Sequence, residues 1–220
     1  MIKNLHTTHQ TVKIGVIGKY LATGEYQLRD SYAALYDAIQ HAAPPVKVTP
    51  EIHWINSEKL EKMTVEEVKK ILGELDGIIV PIGWGGRGAE GKITTIEYAR
   101  AHKIPYLGLC YGMQLAVVEF ARNVLGWKDA QSQEVDPHSQ HLVVHMIPTQ
   151  KRILENRAYG GTMRLGTWEC TVKPGTLAHA MYNKDLISER HRHRYEFNDE
   201  YAEDLEKAGL VISGRSVKEN

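Results

Sequence analysis

Three short, continuous apolar runs and a further extended segment, each trailed by a stretch with a helical pattern, limit this chain to very few folds. Residues 12–18 (VKIGVIG) form the first run, and Tyr32, Leu35, Tyr36 and Ile39 then recur at the 3.6-residue period of a helix spanning 30–43. Pro44 and Pro45 stop that helix. Val46, Val48, Ile52, Trp54 and Ile55 suggest a second extended segment, which Pro50 is expected to bend or end. Thr64 with Glu67 three residues on has the pattern of a capping box, opening a helix over VEEVKKILGEL. A third strand follows at 77–81 (GIIVP), a helix at 92–102, a fourth strand at 104–109 (IPYLGL) and a long helix at 112–125. Continuous apolar strands, in place of two-residue alternation, belong to parallel sheets buried on both faces. The expectation is an α/β fold: a mostly parallel central sheet covered by helices on both faces. Chemistry in such sheets gathers at the carboxyl ends of the strands.

From Asp129 onward the pattern changes. GTMRLGTWECTV and ERHRHRYEFN read as extended segments separated by the turn-rich NRAYGG and VKPGT, which adds antiparallel strands in the second half, in the same sheet or beside it. No repeat or linker divides the chain, so a single domain over residues 1–220 is expected. Composition excludes several functions. The 27 basic and 27 acidic side chains cancel, which disfavours nucleic acid or an anionic membrane as partner. No apolar run is long enough for a membrane helix and the first residues are polar, so a cytoplasmic protein is expected. Two cysteines, Cys110 and Cys170, are too few for a disulfide scaffold, leaving thiolate chemistry.

Gly108-Leu109-Cys110-Tyr111-Gly112 lies between the fourth strand and the long helix. A cysteine at such a turn, flanked by glycines, has the form of a nucleophile elbow. The helix N-terminus favours its thiolate, and the Tyr111 amide is placed where an oxyanion would form. The bland alternative is a small buried hydrophobe ending a strand. Gly83, Gly85, Gly86 and Gly88 in the loop after the third strand supply backbone donors at the same sheet edge; an oxyanion-hole loop and a flexible turn are both open. In Glu189-Arg190-His191-Arg192-His193-Arg194-Tyr195-Glu196, strand alternation sends arginines to one face and histidines to the other. The arginines are suited either to a carboxylate or phosphate or to a solvated, ion-paired strand. A zinc site on His191 and His193 lacks a third ligand at nearby spacing. Cys170, with no glycine turn, reads as core.

Several stretches together resemble one family: GKY at 18–20, DSY at 30–32, GIIVP with its glycine loop, RGAEGKITTIEYAR, IPYLGLCYGMQLAVVEFARNVLG, GTMRLG and ERHRHRYEFN. From about Ile14 to Ser216 they are similar, in order, to the C-terminal class I glutamine amidotransferase domain of CTP synthase, a flavodoxin-like fold. MRLG with ERHRHRYE carries most of the specificity. The resemblance implies glutamine hydrolysis through a thioester on Cys110. It implies an oxyanion hole from the amides of Gly83 and Tyr111, a glutamine contact at Gln114, Glu134 on the substrate α-ammonium and Arg194 on its α-carboxylate. It also implies ammonia delivery to a synthase domain or subunit, where ATP, UTP and Mg bind, and no cofactor or metal in this domain.

Three departures stand out. Ile82 replaces the first glycine of the family's oxyanion loop, where a positive φ would strain a β-branched residue. The segment between Tyr20 and Asp30 is longer than usual. The family's catalytic histidine and glutamate lie in a downstream His-Pro-Glu segment that these 220 residues do not contain, nor do they contain the synthase half. The expectation is a fragment, split subunit or stand-alone relative that by itself hydrolyses glutamine poorly or not at all. The alternatives are a non-catalytic amidotransferase-like binding or regulatory module and a cysteine hydrolase of another γ-glutamyl compound.

Overall fold

The computed structural model describes residues 10–23, 26–27, 30–148, 150 and 163–217. The turn-rich stretch NRAYGG and part of the loop between Tyr20 and Asp30 fall outside them. The chain divides into two compact units, Met1–Glu119 and Phe120–Asn220.

In the first unit, β1 (Gln10–Gly18), β2 (Val48–Asn56), β3 (Gly77–Val80) and β4 (Tyr106–Gly108) form one parallel sheet in the order β2-β1-β3-β4. Strands β1, β3 and β4 lie side by side in it, as a mostly parallel sheet requires. The continuous apolar runs explain the burial: Val16, Ile17, Ile78 and Val80 are all buried. Helix α1 (Ala33–Ala42) packs Ile39 against Val16 and Ile79, with Leu35, Ile52, Trp54 and Leu109 around them. Tyr36, expected on that apolar face, is exposed.

Pro50 neither bends nor ends the second strand, which runs unbroken from Val48 to Asn56, with Pro50 opposite Val12. Because β2 is an edge strand, a residue without an N–H is accommodated on its unpaired side. Helix α2 (Val65–Leu72) opens with the expected capping box: Glu67 N–H donates to Thr64 Oγ1 and Thr64 N–H donates to the Glu67 carboxylate. Two longer helices follow, α3 (Ala89–His102) and α4 (Tyr111–Asn123). They are clamped by the Arg100 guanidinium, which donates to both carboxylate oxygens of Glu119 at 2.7–3.1 Å; Glu119 is only 1% exposed. A bidentate, charge-assisted pair of this kind fixes orientation as well as distance.

In the second unit, β5 (Gln131–Ser132), β6 (Leu142–Met146), β7 (Arg164–Val172), β8 (Leu186–His193), β9 (Tyr195–Phe197) and β10 (Gly214–Ser216) make two three-stranded sheets. One, β8-β7-β10, is antiparallel throughout. In the other, β9-β6-β5, the first pair is antiparallel and the second parallel. Antiparallel strands are thus added in the second half, in sheets of their own. Val143, Val144 and Ile147 with Leu205 of α5 (Ala202–Lys207) are buried in this unit. Among the described residues no helix is long and apolar enough to cross a membrane.

Candidate active site

Cys110 follows the carboxyl end of β4 and directly precedes α4. Its φ is 54°, in the left-handed region, which costs a non-glycine residue about 1–2 kcal/mol. The neighbouring glycines show why the chain accepts that strain. A side chain at Gly108 would meet the Met113 amide nitrogen at 2.6 Å, and one at Gly112 would overlap the Val80 carbonyl oxygen. Hydrogen bonds lock the turn: Leu109 N–H to Val80 O (2.9 Å), Gly112 N–H to Leu109 O (3.1 Å), Gln114 N–H to Cys110 O (3.1 Å) and the Tyr106 hydroxyl to Gly112 O (2.8 Å). Burial pushes the Tyr106 phenol far above its usual range, so it donates as a neutral hydroxyl. The turn is the elbow read from the sequence. Tyr111, at the first helical position, has an amide with no intrahelical acceptor available. Gln114 is buried in the first turn of α4, within one turn of Cys110.

The glycine loop lies against this elbow. A Cβ at Gly83 would stand 3.1 Å from both Lys92 Nζ and Tyr111 Cδ1 and 3.4 Å from Lys19 Cε, so a side chain here would crowd the residue that follows the cysteine. The loop's shape is set from within by Lys19, which is 3% exposed. Its ammonium donates to the carbonyls of Trp84, Gly85 (3.1 Å) and Arg87 (3.1 Å). Tyr111 adds a hydroxyl bond to Gly85 O at 2.7 Å. With its carbonyls turned toward a buried cation, the loop is a shaped structure and not a flexible turn. Ile82 is not among the residues with positive φ and its side chain is 40% exposed, so the departure at this position carries no left-handed strain. The family-matching GKY and DSY stretches also meet here: Lys19 N–H donates to the Tyr32 hydroxyl at 3.4 Å.

Sequence reading missed the two buried lysines. Lys92 has no exposed surface and its Nζ has no hydrogen-bond partner. It lies 5.1 Å from the Tyr111 ring centroid, with Lys19 Nζ 5.3 Å from the same centroid. Burial and the charge of Lys19 push the Lys92 ammonium down to about 7, while negative charge on Cys110 pulls it back up. A signal was present: Lys92 shares the buried face of α3 with Ala89, Ile96 and Ala99, a lysine at a core position.

In the second unit, Arg194 sits at the break between β8 and β9, where the chain leaves one sheet for the other. The regular alternation expected through Arg194 therefore stops at His193. Arg190 and Arg192 do share the exposed face, and His191 and His193 the half-buried one. The guanidinium Nε of Arg194 is buried without a hydrogen-bond partner, and its carbonyl accepts from Ile147 N–H at 3.0 Å. Glu134, half-buried in the turn after β5, donates its N–H to Ser132 Oγ at 3.3 Å. Burial, with the charge of Glu134, raises the Tyr195 phenol, and Arg194 lowers it, so both charges lie within reach of one hydroxyl.

His191 Nδ1 and His193 Nε2 are bonded to each other at 2.9 Å, and His193 Nδ1 donates to Tyr195 O at 2.8 Å. Among the described residues no group of three His, Cys, Asp or Glu side chains is placed to hold a metal. Arg164 of the MRLG stretch is buried against Glu196 (2.9 Å) and lies over the Trp168 ring (4.8 Å). Cys170, expected in the core, is only half-buried: it lies on β7 beside the edge strand β10, and burial raises its thiol.

Comparison with known proteins places these features. The model of the family described as "Glutamine amidotransferase class-I" matches residues 27–220. A CTP synthase of Carboxydothermus hydrogenoformans is 53% identical over 205 residues, covering 93% of this chain and 36% of that protein. The CTP synthase of Pyrococcus abyssi is 49% identical over 214 residues, covering 97% of this chain and 38% of that one. The chain thus spans under two fifths of the length of these relatives. A solved Trypanosoma brucei structure, described as the glutaminase domain of CTPS with bound acivicin, superposes with a TM-score of 0.82 at 38% identity, covering 92% of this chain and 74% of that one.

Proposed function

The chain belongs to the class I glutamine amidotransferases, and from that premise we propose that it hydrolyses glutamine at Cys110. The Cys110 thiolate attacks the side-chain carboxamide, the amides of Gly83 and Tyr111 receive the developing oxyanion, ammonia leaves, and water cleaves the γ-glutamyl thioester. Gln114 is assigned to the glutamine, Glu134 to its α-ammonium and Arg194 to its α-carboxylate. Expulsion of ammonia needs a proton donor and hydrolysis of the thioester needs a base. The resemblance assigns both to a histidine in a His-Pro-Glu segment, a sequence absent from these 220 residues. The ammonia is assigned to a CTP synthase active site that aminates UTP with ATP and Mg, in the cytoplasm; the thiol chemistry asks for no cofactor in this domain.

The observation that carries the reading is Cys110 held at φ 54° between two glycines that packing demands, beside a loop knotted around Lys19. The buried, unpartnered Arg194 Nε supports the carboxylate assignment. The test is incubation with glutamine, reading ammonia release and the mass of the Cys110 peptide. One γ-glutamyl group on Cys110, or turnover that disappears in Cys110→Ser, is expected. Ammonia release equal in Cys110→Ser, or a γ-glutamyl adduct on a residue other than Cys110, would overturn the reading.

A further inference from the structure

We propose that Lys19 is a positioning residue for the oxyanion hole: its buried ammonium gathers the carbonyls of the glycine loop and so holds the Gly83 amide beside the elbow. This deepens the proposed glutaminase chemistry and rests on Cys110 as its nucleophile.

Between β3 and α3 the chain, residues 81–88, is neither helix nor strand, so no ladder of its own fixes its shape. Three of its carbonyls, those of Trp84, Gly85 and Arg87, converge on Lys19 Nζ instead. Three carbonyl oxygens brought to one buried point repel one another and forgo water, and a cation at that point turns the repulsion into attraction. An ammonium suits the task, having three N–H donors and no acceptor. Its anchor is rigid. Lys19 directly follows β1, which pairs with β3 through Ile14 opposite Gly77, Gly15 opposite Ile78 and Val16 opposite Ile79. The lysine therefore ties the loop back to the neighbour of the strand from which the loop springs. Its stem reaches Gly83 too, with Cε 3.4 Å from where a Cβ on that glycine would stand.

The second tie comes from the elbow. The Tyr111 hydroxyl donates to Gly85 O at 2.7 Å, and Tyr111 Cδ1 lies 3.1 Å from the same position at Gly83. Tyr111 is the residue whose own amide is the other donor assigned to the oxyanion. Among the described residues no backbone carbonyl takes the Gly83 N–H, which leaves it for a ligand. Donors set in place before reaction stabilise developing charge because nothing has to reorient at that moment. Without the ammonium the loop's carbonyls separate to reach water, and the Gly83 amide loses its place.

The experiment reads the oxyanion separately from the thiol and from ground-state binding. Iodoacetamide modification of Cys110 is followed by mass spectrometry in the parent and in Lys19→Met, alone and against graded glutamine or glutamate γ-semialdehyde, with circular dichroism as the check on folding. Iodoacetamide reacts at a methylene carbon and asks nothing of the hole, and glutamine binds as an uncharged carboxamide. The aldehyde carbon accepts the thiolate sulfur, its C=O electron pair moves to oxygen, and the tetrahedral adduct needs the hole. In Lys19→Met the unliganded rate is expected within about twofold of the parent and the half-protecting glutamine concentration within about threefold. The half-protecting aldehyde concentration is expected to rise about a hundredfold, the scale of losing one oxyanion donor. A folded Lys19→Met protein in which the aldehyde loses no more than glutamine does overturns the proposal.

Should Lys19→Met not fold, Lys19→Gln, which keeps N–H donors without the charge, is measured in the same way. Aldehyde protection about tenfold weaker with glutamine protection unmoved is expected, and aldehyde protection equal to the parent's overturns the proposal. Protection by both ligands that neither substitution alters sinks this inference alone; a parent in which neither ligand protects Cys110 sinks the glutaminase reading and this inference with it.

Discussion

A side chain added at Gly112, in the elbow, would overlap the Val80 carbonyl oxygen, whereas one added at Gly166, on β7 of the second unit, would meet no atom within 4 Å. The contrast runs through the two units. Around Cys110 the backbone itself is packed: glycines are excluded from change by neighbouring main chain, and the cysteine is held in a conformation it would not choose. In the second unit the geometry is made by side chains instead. Arg164 pairs with Glu196, His191 with His193, and Asp129 with His141 at 2.8 Å. Nucleophilic chemistry needs an atom fixed relative to backbone donors, which packing of main chain supplies. Recognition of charged groups needs donors and acceptors of the right sign, which side chains supply.

The comparison breaks most severely at the two thiols. Cys110→Ser is expected to lower glutamine turnover about a thousandfold or more, while Cys170→Ser stays within about twofold. A steady-state glutamate assay checks both, and comparable losses would erase the distinction between the units.

Next in size is the pH dependence of stability from Lys92. The unfolded chain holds this proton up to about 10.5 and the folded protein only to about 7. Between those values the unfolded state binds more protons, so parent stability rises with pH across that window and is flat below it. Lys92→Met removes the slope. Its advantage below pH 7 is expected to reach about 3–5 kcal/mol and to fade by about pH 10.5, read from urea unfolding at a series of pH values. An advantage that does not change with pH would show that Lys92 is not buried as described.

Glycine substitutions sharpen the contrast further. Gly112→Ala is expected to cost about 3 kcal/mol through overlap with Val80, and Gly166→Ala about 1 kcal/mol through its positive φ alone. Urea midpoints for the two variants give the comparison directly. The smallest effect is expected at the exposed ion pair of the second unit: Asp199→Asn, which removes the 3.1 Å partner of Arg215, should change stability by no more than about 0.5 kcal/mol, and less in high salt.

What could be read in advance divides along the same line. The parallel sheet was legible because continuous apolar runs have no other common use, and the elbow because two glycines flank a cysteine at a strand-to-helix turn. The capping box at Thr64 was legible for the same local reason. Pro50 misled because strand order, not local sequence, decides that β2 is an edge. Cys170 misled because a place inside an extended segment without a glycine turn does not reveal that its strand lies beside a short edge partner. Arg194 was placed by extrapolating alternation through a residue at which the chain changes sheets. The burial of Lys19 and Lys92 depends on what surrounds them in three dimensions, and only the core position of Lys92 on α3 hinted at it.

The claim on which the account turns is that the elbow, and not cysteine content, makes a nucleophile. Timed iodoacetamide labelling of the native protein at neutral pH, with both cysteine peptides followed by mass spectrometry, tests it most directly. Cys110 is expected to be modified first, with glutamine slowing its modification and leaving that of Cys170 unchanged. Equal or reversed rates, or a Cys110 rate indifferent to glutamine, would contradict the account.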